Sequence, residues 1–319
     1  MKEEIQLNWD ESPVLLPPRS RLYRLEPIGL GTPMVECLSS YIHRLAEAHG
    51  LPTWILVCKE LAPRFGRWSL LASNGHCDLF GKLGMTINGN NDTALEISAI
   101  LKSLTGHSGL SALTFCRLGA LVAAGRILRK TQAWCPECLE QWRGNDMTVY
   151  QPLIWMLSSL KTCPIHGCSI EEHCAECGKS HAPIGRYRWN GKCPKCSNWL
   201  GHGSKDNEAT GKTPASTWCK FAAKALAQFM VDLQSLPEDV PQATFPSNVM
   251  GIVQSRFGGN YSALARALHV HRMTVFAWAN AKQRPSPASL LALAYCCGGE
   301  AMDWIARKIE PAAMHPTRD

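Results

Sequence analysis

Four short stretches of this 319-residue chain each place two soft metal ligands two residues apart. They are CPEC (Cys135, Cys138), CPIH (Cys163, His166), CAEC (Cys174, Cys177) and CPKC (Cys193, Cys196). A tight turn aims both side chains of such a hook at one point. Two hooks then complete the tetrahedral set that suits Zn²⁺, an ion with no d-electron geometry of its own. The run Cys174-x2-Cys177-x15-Cys193-x2-Cys196 has the spacing of a four-cysteine zinc site directly. The other two hooks are 24 residues apart. The stretch YQPLIWMLSSL between them reads as a helix that returns the chain to its start. Cys135, Cys138, Cys163 and His166 are therefore expected to form a second, Cys3His set. In TCPIHGC, Cys168 lies two residues past the histidine and is an alternative ligand to it; the hook spacing favours His166. His173 and His181 fall near the other set as surplus donors.

Other uses of these residues fit less well. A CxxC redox pair belongs at the start of a helix beside a βαβ pattern, and no such alternation surrounds these cysteines. Haem attachment needs C-x-x-C-H, which is absent. A catalytic zinc keeps one position open, whereas both sets here have four protein ligands. Two structural Zn²⁺ ions are thus expected, knotting a region too loop-rich to bury a core of its own. There is no H-E-x-x-H and no G-x-x-x-x-G-K-[ST]. Glu171-Glu172-His173 is the nearest lure, and adjacent residues in a loop read as solvated or helix-capping. The chain is not expected to be an enzyme.

The bulk numbers agree with a folded protein that meets an acidic partner. Hydrophobic residues make up 45% and charged residues 18%, so a sizeable core can form. The formal net charge is +7, a modest positive balance. The opening MKEEIQLNWD has no apolar leader, and the run LTFCRLGALVAAG is broken by Arg117. A cytoplasmic protein with no membrane partner is expected, where clustered cysteines bind metal more often than they pair. Cys37, Cys58, Cys116, Cys296 and Cys297 lie in apolar helical patterns and read as small hydrophobes.

The elements that must position the hooks are mainly helical. Residues 32–50 are punctuated as a helix, with Thr32 as cap, Pro33 in the first turn, and Gly50 and Pro52 as stops. Val35, Leu38, Ile42 and Leu45 form its apolar stripe; Glu36, Ser40, His43, Arg44 and Glu47 are expected on a solvated face. TWILVCKEL is a second helix. TALEISAILKSLTG is a third, with Thr93 and Glu96 as a capping box. SGLSALTF is a short fourth. Together they predict a helix-turn-helix-like bundle over 1–132, followed by two zinc-binding motifs over 133–204 and a polar linker over 205–215.

Residues 216–319 predict a second helical domain. Trp218, Phe221, Ala222, Ala225, Leu226, Phe229, Met230 and Leu233 share one helix face, for core or inter-domain packing. Pro237, Pro241 and Pro246 punctuate a further linker. From 247 to about 308 the pattern is that of a helix-turn-helix of the phage-repressor type, with Ser262 capping its first helix. Ala265 is the small residue at the crossing, Val270 and Val275 face the core, and Trp278 follows at helical spacing. His269 stands at the turn position where glycine is usual; histidine tolerates positive φ better than most residues. Residues 256–284 carry Arg256, Arg266, Arg272, Lys282 and Arg284, and no acid. Such a run meets phosphates well. His271, Arg272, Met273, Thr274, Phe276, Lys282 and Arg284 are the candidate DNA contacts. The competing reading is a dimerisation or docking module that reuses the motif.

The segments PMVECLSSYIHRLAEAHGL, LTG, LTF, WCPECLEQW, YQPLIWML, TCPIHGC and CAECGK follow one another in a fixed order. This order resembles the TniQ family of transposition proteins, which includes the TnsD-type target selectors. The resemblance covers roughly residues 26–200. Cys37 stands where the family usually has serine. The resemblance implies an adaptor rather than a transposase. Such an adaptor links a target-recognition device to an AAA+ ATPase regulator that recruits the transposase. The device is either the chain's own DNA-binding tail or an RNA-guided CRISPR effector complex. A stand-alone zinc-containing helix-turn-helix transcription regulator is the alternative.

Overall fold

The computed structural model describes residues 19–65, 78–119, 121–123, 127–187, 191–201, 216–237 and 240–309. The linker expected at 205–215 lies outside the described residues. Among those residues the secondary structure is helical, with isolated bridges and no strand.

The first helix begins later than its punctuation suggests. α1 runs Leu38–Ala48 and its N-cap is Cys37. Thr32 instead closes a turn before it, its hydroxyl donating to the Gly29 carbonyl at 2.7 Å and accepting from Met34 N at 3.2 Å. Val35, Leu38, Ile42 and Leu45 are fully buried, as the stripe requires. The face expected to be solvated is largely buried as well: Glu36, Ser40 and His43 are enclosed, and only Glu47 is fully exposed. The reason is that α1 is packed on both sides, so its polar residues take protein partners instead of water. The Glu36 carboxylate accepts from Arg44 Nη1 at 2.5 Å, Ser40 Oγ at 2.8 Å and Ile28 N at 3.3 Å. Burial still raises its pKa, against the pull of Arg44. His43 lies 2.8 Å from the Thr53 hydroxyl and accepts from Gly185 N. Burial lowers its pKa to about 4, so it is neutral at pH 7.

α2, Thr53–Leu56, runs on through a π turn at Val57–Leu61 and a 3-10 turn at Ala62–Arg64. α3 spans Asp92–Thr105. Its N-cap is Asn91, whose side chain accepts from Ala94 N at 3.1 Å. The helix therefore starts two residues earlier than the capping box required, and Thr93 is already inside it. SGLSALTF forms a 3-10 turn, Leu110–Leu113.

YQPLIWMLSSL is not a helix. It contains one 3-10 turn, Leu153–Met156, in an extended path. Leu153 through Leu157 are all buried, so no polar stripe exists to define an amphipathic helix. The main chain bonds sideways instead. Cys37 N donates to Gln151 O at 2.9 Å, Leu153 N to Val35 O at 2.7 Å, and Arg129 N to Met156 O at 2.8 Å. These bonds carry one hydrogen-bonded body across residues 132 and 133. α4, Pro136–Gly144, packs Trp142 between Tyr150 and Trp155, with ring centroids 4.7 and 5.6 Å apart.

α5, Thr217–Ser235, is the bridge to the C-terminal module. Ala222, Ala225, Leu226, Phe229, Met230 and Leu233 are buried as the stripe predicts. Trp218 and Phe221 are only partly covered and pack edge-on against Tyr295. The last turn is clamped by the N-terminal region. Gln234 Nε2 donates to Thr32 O, Gly31 N donates to Gln234 Oε1, and Arg117 Nη1 donates to the Gln234 and Leu236 carbonyls. A cation on the terminal carbonyls of a helix is favourable by dipole and by hydrogen bond. Beyond it come α6 (Thr244–Phe257), α7 (Tyr261–Ala267), α8 (Arg272–Ala279), α9 (Pro287–Cys297) and α10 (Asp303–Ala306). Pro246 belongs to the first turn of α6 rather than to a linker; its missing N–H costs nothing there.

Candidate metal centres and nucleic-acid interface

Cys135 is the N-cap of α4, with Pro136 at the first helical position, and its Sγ accepts from Cys138 N at 3.3 Å. The first hook is thus a helix N-terminus, whose partial positive charge favours thiolates. The other three hooks share a different turn. Cys163, Cys174 and Cys193 each accept, at 2.8–2.9 Å, from the amide four residues on. Each also donates its own N–H to the carbonyl five residues on. Closing that turn puts the fourth residue in the left-handed region: Gly167 (φ 70°), Gly178 (φ 65°) and Ser197 (φ 63°).

The ligand atoms of Cys135, Cys138, Cys163 and His166 lie within 4.8 Å of one another, and so do those of Cys174, Cys177, Cys193 and Cys196. A tetrahedral zinc site has S···S edges of about 3.8 Å and S···N edges of about 3.6 Å, from bond lengths of about 2.3 and 2.0–2.1 Å. In the first cluster Cys138 and Cys163 sulfurs are 3.8 Å apart. His166 Nδ1 is 3.6, 3.3 and 3.8 Å from the sulfurs of Cys135, Cys138 and Cys163. In the second, Cys174 to Cys196 is 3.7 Å and Cys177 to Cys193 is 3.6 Å. Both clusters can hold a metal ion, and their edges fit zinc. Cys168 Sγ closes to 3.3 Å on Cys135 Sγ. His166 meets three sulfurs and completes a tetrahedron; Cys168 stands at its side as a fifth donor. In the crowded first cluster, hydrogen bonds from Cys135 and then Cys138 hold the Cys163 thiol far below its ordinary range.

His173 is exposed. His181 is not surplus in the same sense. It is buried, stacked on Trp134 at 6.2 Å, with Nε2 3.4 Å from Cys193 Sγ. Its carbonyl accepts from Gln132 N at 2.8 Å. It therefore supports a ligand of the second cluster from outside. α4 reaches the same cluster through Glu140, which accepts from Trp199 Nε1 at 2.7 Å, and through Arg143, 4.9 Å over the Trp199 ring. Glu172 is neither free nor a cap: it pairs with buried Arg129 and accepts from the Thr131 hydroxyl. Burial pushes the Cys37 and Cys297 thiols up to about 12, as for inert core cysteines.

The C-terminal candidates gather around α7 and α8. α7 is capped by Asn260, whose side chain accepts from Ser262 N and Ala263 N; Ser262 is inside the first turn. A carboxamide two residues earlier reaches two orphan amides, which the Ser262 hydroxyl is not placed to do. His269 adopts φ 53° at the turn. Leu264, Ala265, Val275 and Trp278 are buried, and Phe245 meets Trp278 edge-on at 5.9 Å. His271 caps α8, its Nδ1 accepting from Met273 N at 3.2 Å. Arg272, Met273 and Phe276 are exposed, Thr274 half-buried, and Lys282 and Arg284 exposed beyond the helix end. Phe276 packs edge-on against Tyr261 at 5.9 Å while 41% exposed. Arg256 points away from this group, donating to Cys297 O at the end of α9. No helix among the described residues is long and apolar enough to cross a membrane.

Sequence reasoning missed Asn260, His181 and the αL position shared by Gly167, Gly178 and Ser197. The last was visible as a small residue directly after the second ligand of three hooks.

The family model for TniQ matches residues 27–170. The match takes in the α1 entry, the first metal cluster and Cys168, and stops before Cys174. Among curated proteins none matches the chain.

Proposed function

On the premise that residues 27–170 make this a TniQ-family chain, we propose that it is an adaptor for target-site selection in DNA transposition. In this reading it links a recognised target to an AAA+ ATPase regulator, which recruits the transposase. The observation that carries it is the TniQ match itself, since that match contains the first metal cluster and the core around it. Two structural Zn²⁺ ions are held by Cys135, Cys138, Cys163 and His166, and by Cys174, Cys177, Cys193 and Cys196. Four protein donors per ion leave no open position for chemistry, so the chain acts by holding surfaces and not by turnover. It works in the cytoplasm, where the DNA is.

Target DNA meets the C-terminal domain 216–319 through Arg272, Met273 and Phe276 on the exposed face of α8, with His271, Thr274, Lys282 and Arg284 around them. Lys282 and Arg284 have no ion-pair partner among the described residues, so their charge is available to phosphates. The α5 clamp suits an adaptor: with Gln234 and Arg117 locking both ends together, occupancy of α8 sets the position of the TniQ domain. An RNA-guided CRISPR effector is the other device the TniQ domain suits as a source of targeting.

The test is a pull-down of the zinc-loaded chain with its cognate ATPase, with and without target duplex. Association in either condition is expected; none in both ends the adaptor reading. The exposed α8 favours one competitor, a stand-alone transcription regulator. That reading requires tight binding to palindromic DNA without the ATPase.

A further inference from the structure

The candidate DNA contacts do not all share one face. Arg272, Met273 and Phe276 are exposed on the outside of α8. His271, Thr274 and Arg284 line a separate cleft of about 530 Å³, together with Gln283, Ser286 and Ser289. The cleft opens on two helix beginnings. His271 and Thr274 belong to the start of α8; Ser286 is the N-cap of α9 and Ser289 lies in its first turn. Both helices present their positive ends there. No acidic residue among the described ones lines it.

Two further observations point to an anionic occupant. Arg284 makes no hydrogen bond or ion pair among the described residues, so a full charge faces the cleft uncompensated. His271 uses Nδ1 as the acceptor of its cap, which leaves Nε2 carrying the proton as a donor. Trp278 forms part of the wall, and its ring is 1% exposed.

The far wall is not part of the helix-turn-helix. Ala123 lines the cleft, and Ala123 N donates to Pro285 O at 2.9 Å. The TniQ domain is thereby pinned to the loop between α8 and α9. We infer that this cleft seats one phosphate of a DNA strand, so that the strand passes between the helix-turn-helix and the TniQ domain. The inference rests on the DNA contact proposed above and divides its residues in two. The outer face of α8 meets bases, and the cleft meets backbone.

Fluorescence anisotropy of the full, zinc-loaded chain on several duplexes, over a range of salt, tests this. Arg284→Gln is expected to weaken every duplex alike, by about tenfold at low salt, and to reduce the salt slope by about 1. Ala123→Trp, which fills the cleft from the TniQ side, is expected to do the same. Arg272→Gln instead changes the ranking of the duplexes. Arg284 is exposed and unpaired, so its replacement leaves the fold intact. Unchanged affinity and slope in both cleft variants, while wild type binds DNA, overturn the inference. If wild type binds no duplex, the DNA reading fails by itself, and inorganic pyrophosphate then decides the cleft. A shift of the Trp278 indole N–H resonance that Arg284→Gln abolishes supports an anion site; no shift overturns it.

Discussion

The two metal clusters have the same number of ligands and different standing in the molecule. The first joins a helix N-terminus to a knuckle turn, with Cys135, Cys138 and Cys163 at most 1% exposed inside the main core. The second joins two knuckle turns, and Cys177 and Cys196 are half-exposed. In the first, α4 carries Cys138 beside Leu139 and Trp142; Trp142 stacks on Tyr150 and Trp155 of the strip 150–157, which bonds to Val35, Cys37 and Ser40 at α1 and its entry. The second is tied to the body through His181 on Trp134, the Glu140–Trp199–Arg143 contact, and the bonds of Gly185 N to His43 and of Trp54 N to Arg186 O. Coordination number alone therefore does not say how much of a fold a metal supports. What matters is how much apolar surface becomes wet when the ligands let go.

The largest effect expected from this difference is at Cys138. Cys138→Ser should empty the first cluster and unfold the whole body around it. Circular dichroism should lose its main melting transition, with one zinc equivalent remaining at most. A variant that keeps both the transition and two zinc equivalents would erase the contrast. Cys177→Ser should also cost one zinc equivalent, yet leave the main transition within a few degrees. Limited proteolysis should then cut within residues 174–201 and spare α1 to α4. If both variants unfold the chain alike, the clusters are equal partners and the comparison is wrong.

A smaller effect isolates the support of the second cluster. His181→Phe keeps the stacking on Trp134 and removes the nitrogen beside Cys193. Groups that orient ligands from outside are worth about 10–100-fold in metal affinity. Competition with a chelator should show that loss at the second cluster and none at the first.

The smallest effect lies in the turns. At Gly167 and Gly178 a Cβ would meet nothing within 4 Å, so φ is the only penalty of a side chain there. Ser197 bears that penalty already. Ser197→Gly should raise chelator resistance of the second cluster by about 0.5–1 kcal/mol, and Gly178→Ala should lower it by about as much. Opposite signs at equivalent positions are the signature of a shared turn; equal signs would mean that the two knuckles are not equivalent.

The hooks were legible because a metal site is local. Cys174-x2-Cys177 and its partners announce themselves by residue type and spacing, and both four-residue groupings come together in space as read. The turn at His269 and the buried face of α5 were legible for a similar reason, since φ preference and a 3.6-residue period are properties of short segments. The reading went astray where neighbours distant in sequence decide. Glu36, Ser40 and His43 look like a wet face until Arg44, Ile28, Thr53 and Gly185 are placed against them. YQPLIWMLSSL looks helical until its amides and carbonyls find Val35, Cys37 and Arg129. Ser262 and Thr93 read as caps, yet Asn260 and Asn91, each two residues earlier, take that place, because a cap is decided by which side chain reaches the orphan amides.

By itself the sequence determined the eight candidate metal donors, the mainly helical class, the TniQ match over residues 27–170 and the acid-free stretch at 256–284. Each is written in residue type and short-range order. Only the tertiary structure decided that His166 and not Cys168 meets three sulfurs, that the first cluster sits in the core and the second at its margin, and that Arg284 faces a cleft walled by Ala123. Those facts depend on contacts between residues tens to hundreds of positions apart, and such contacts exist only once burial and hydrogen bonding have chosen one packing among many.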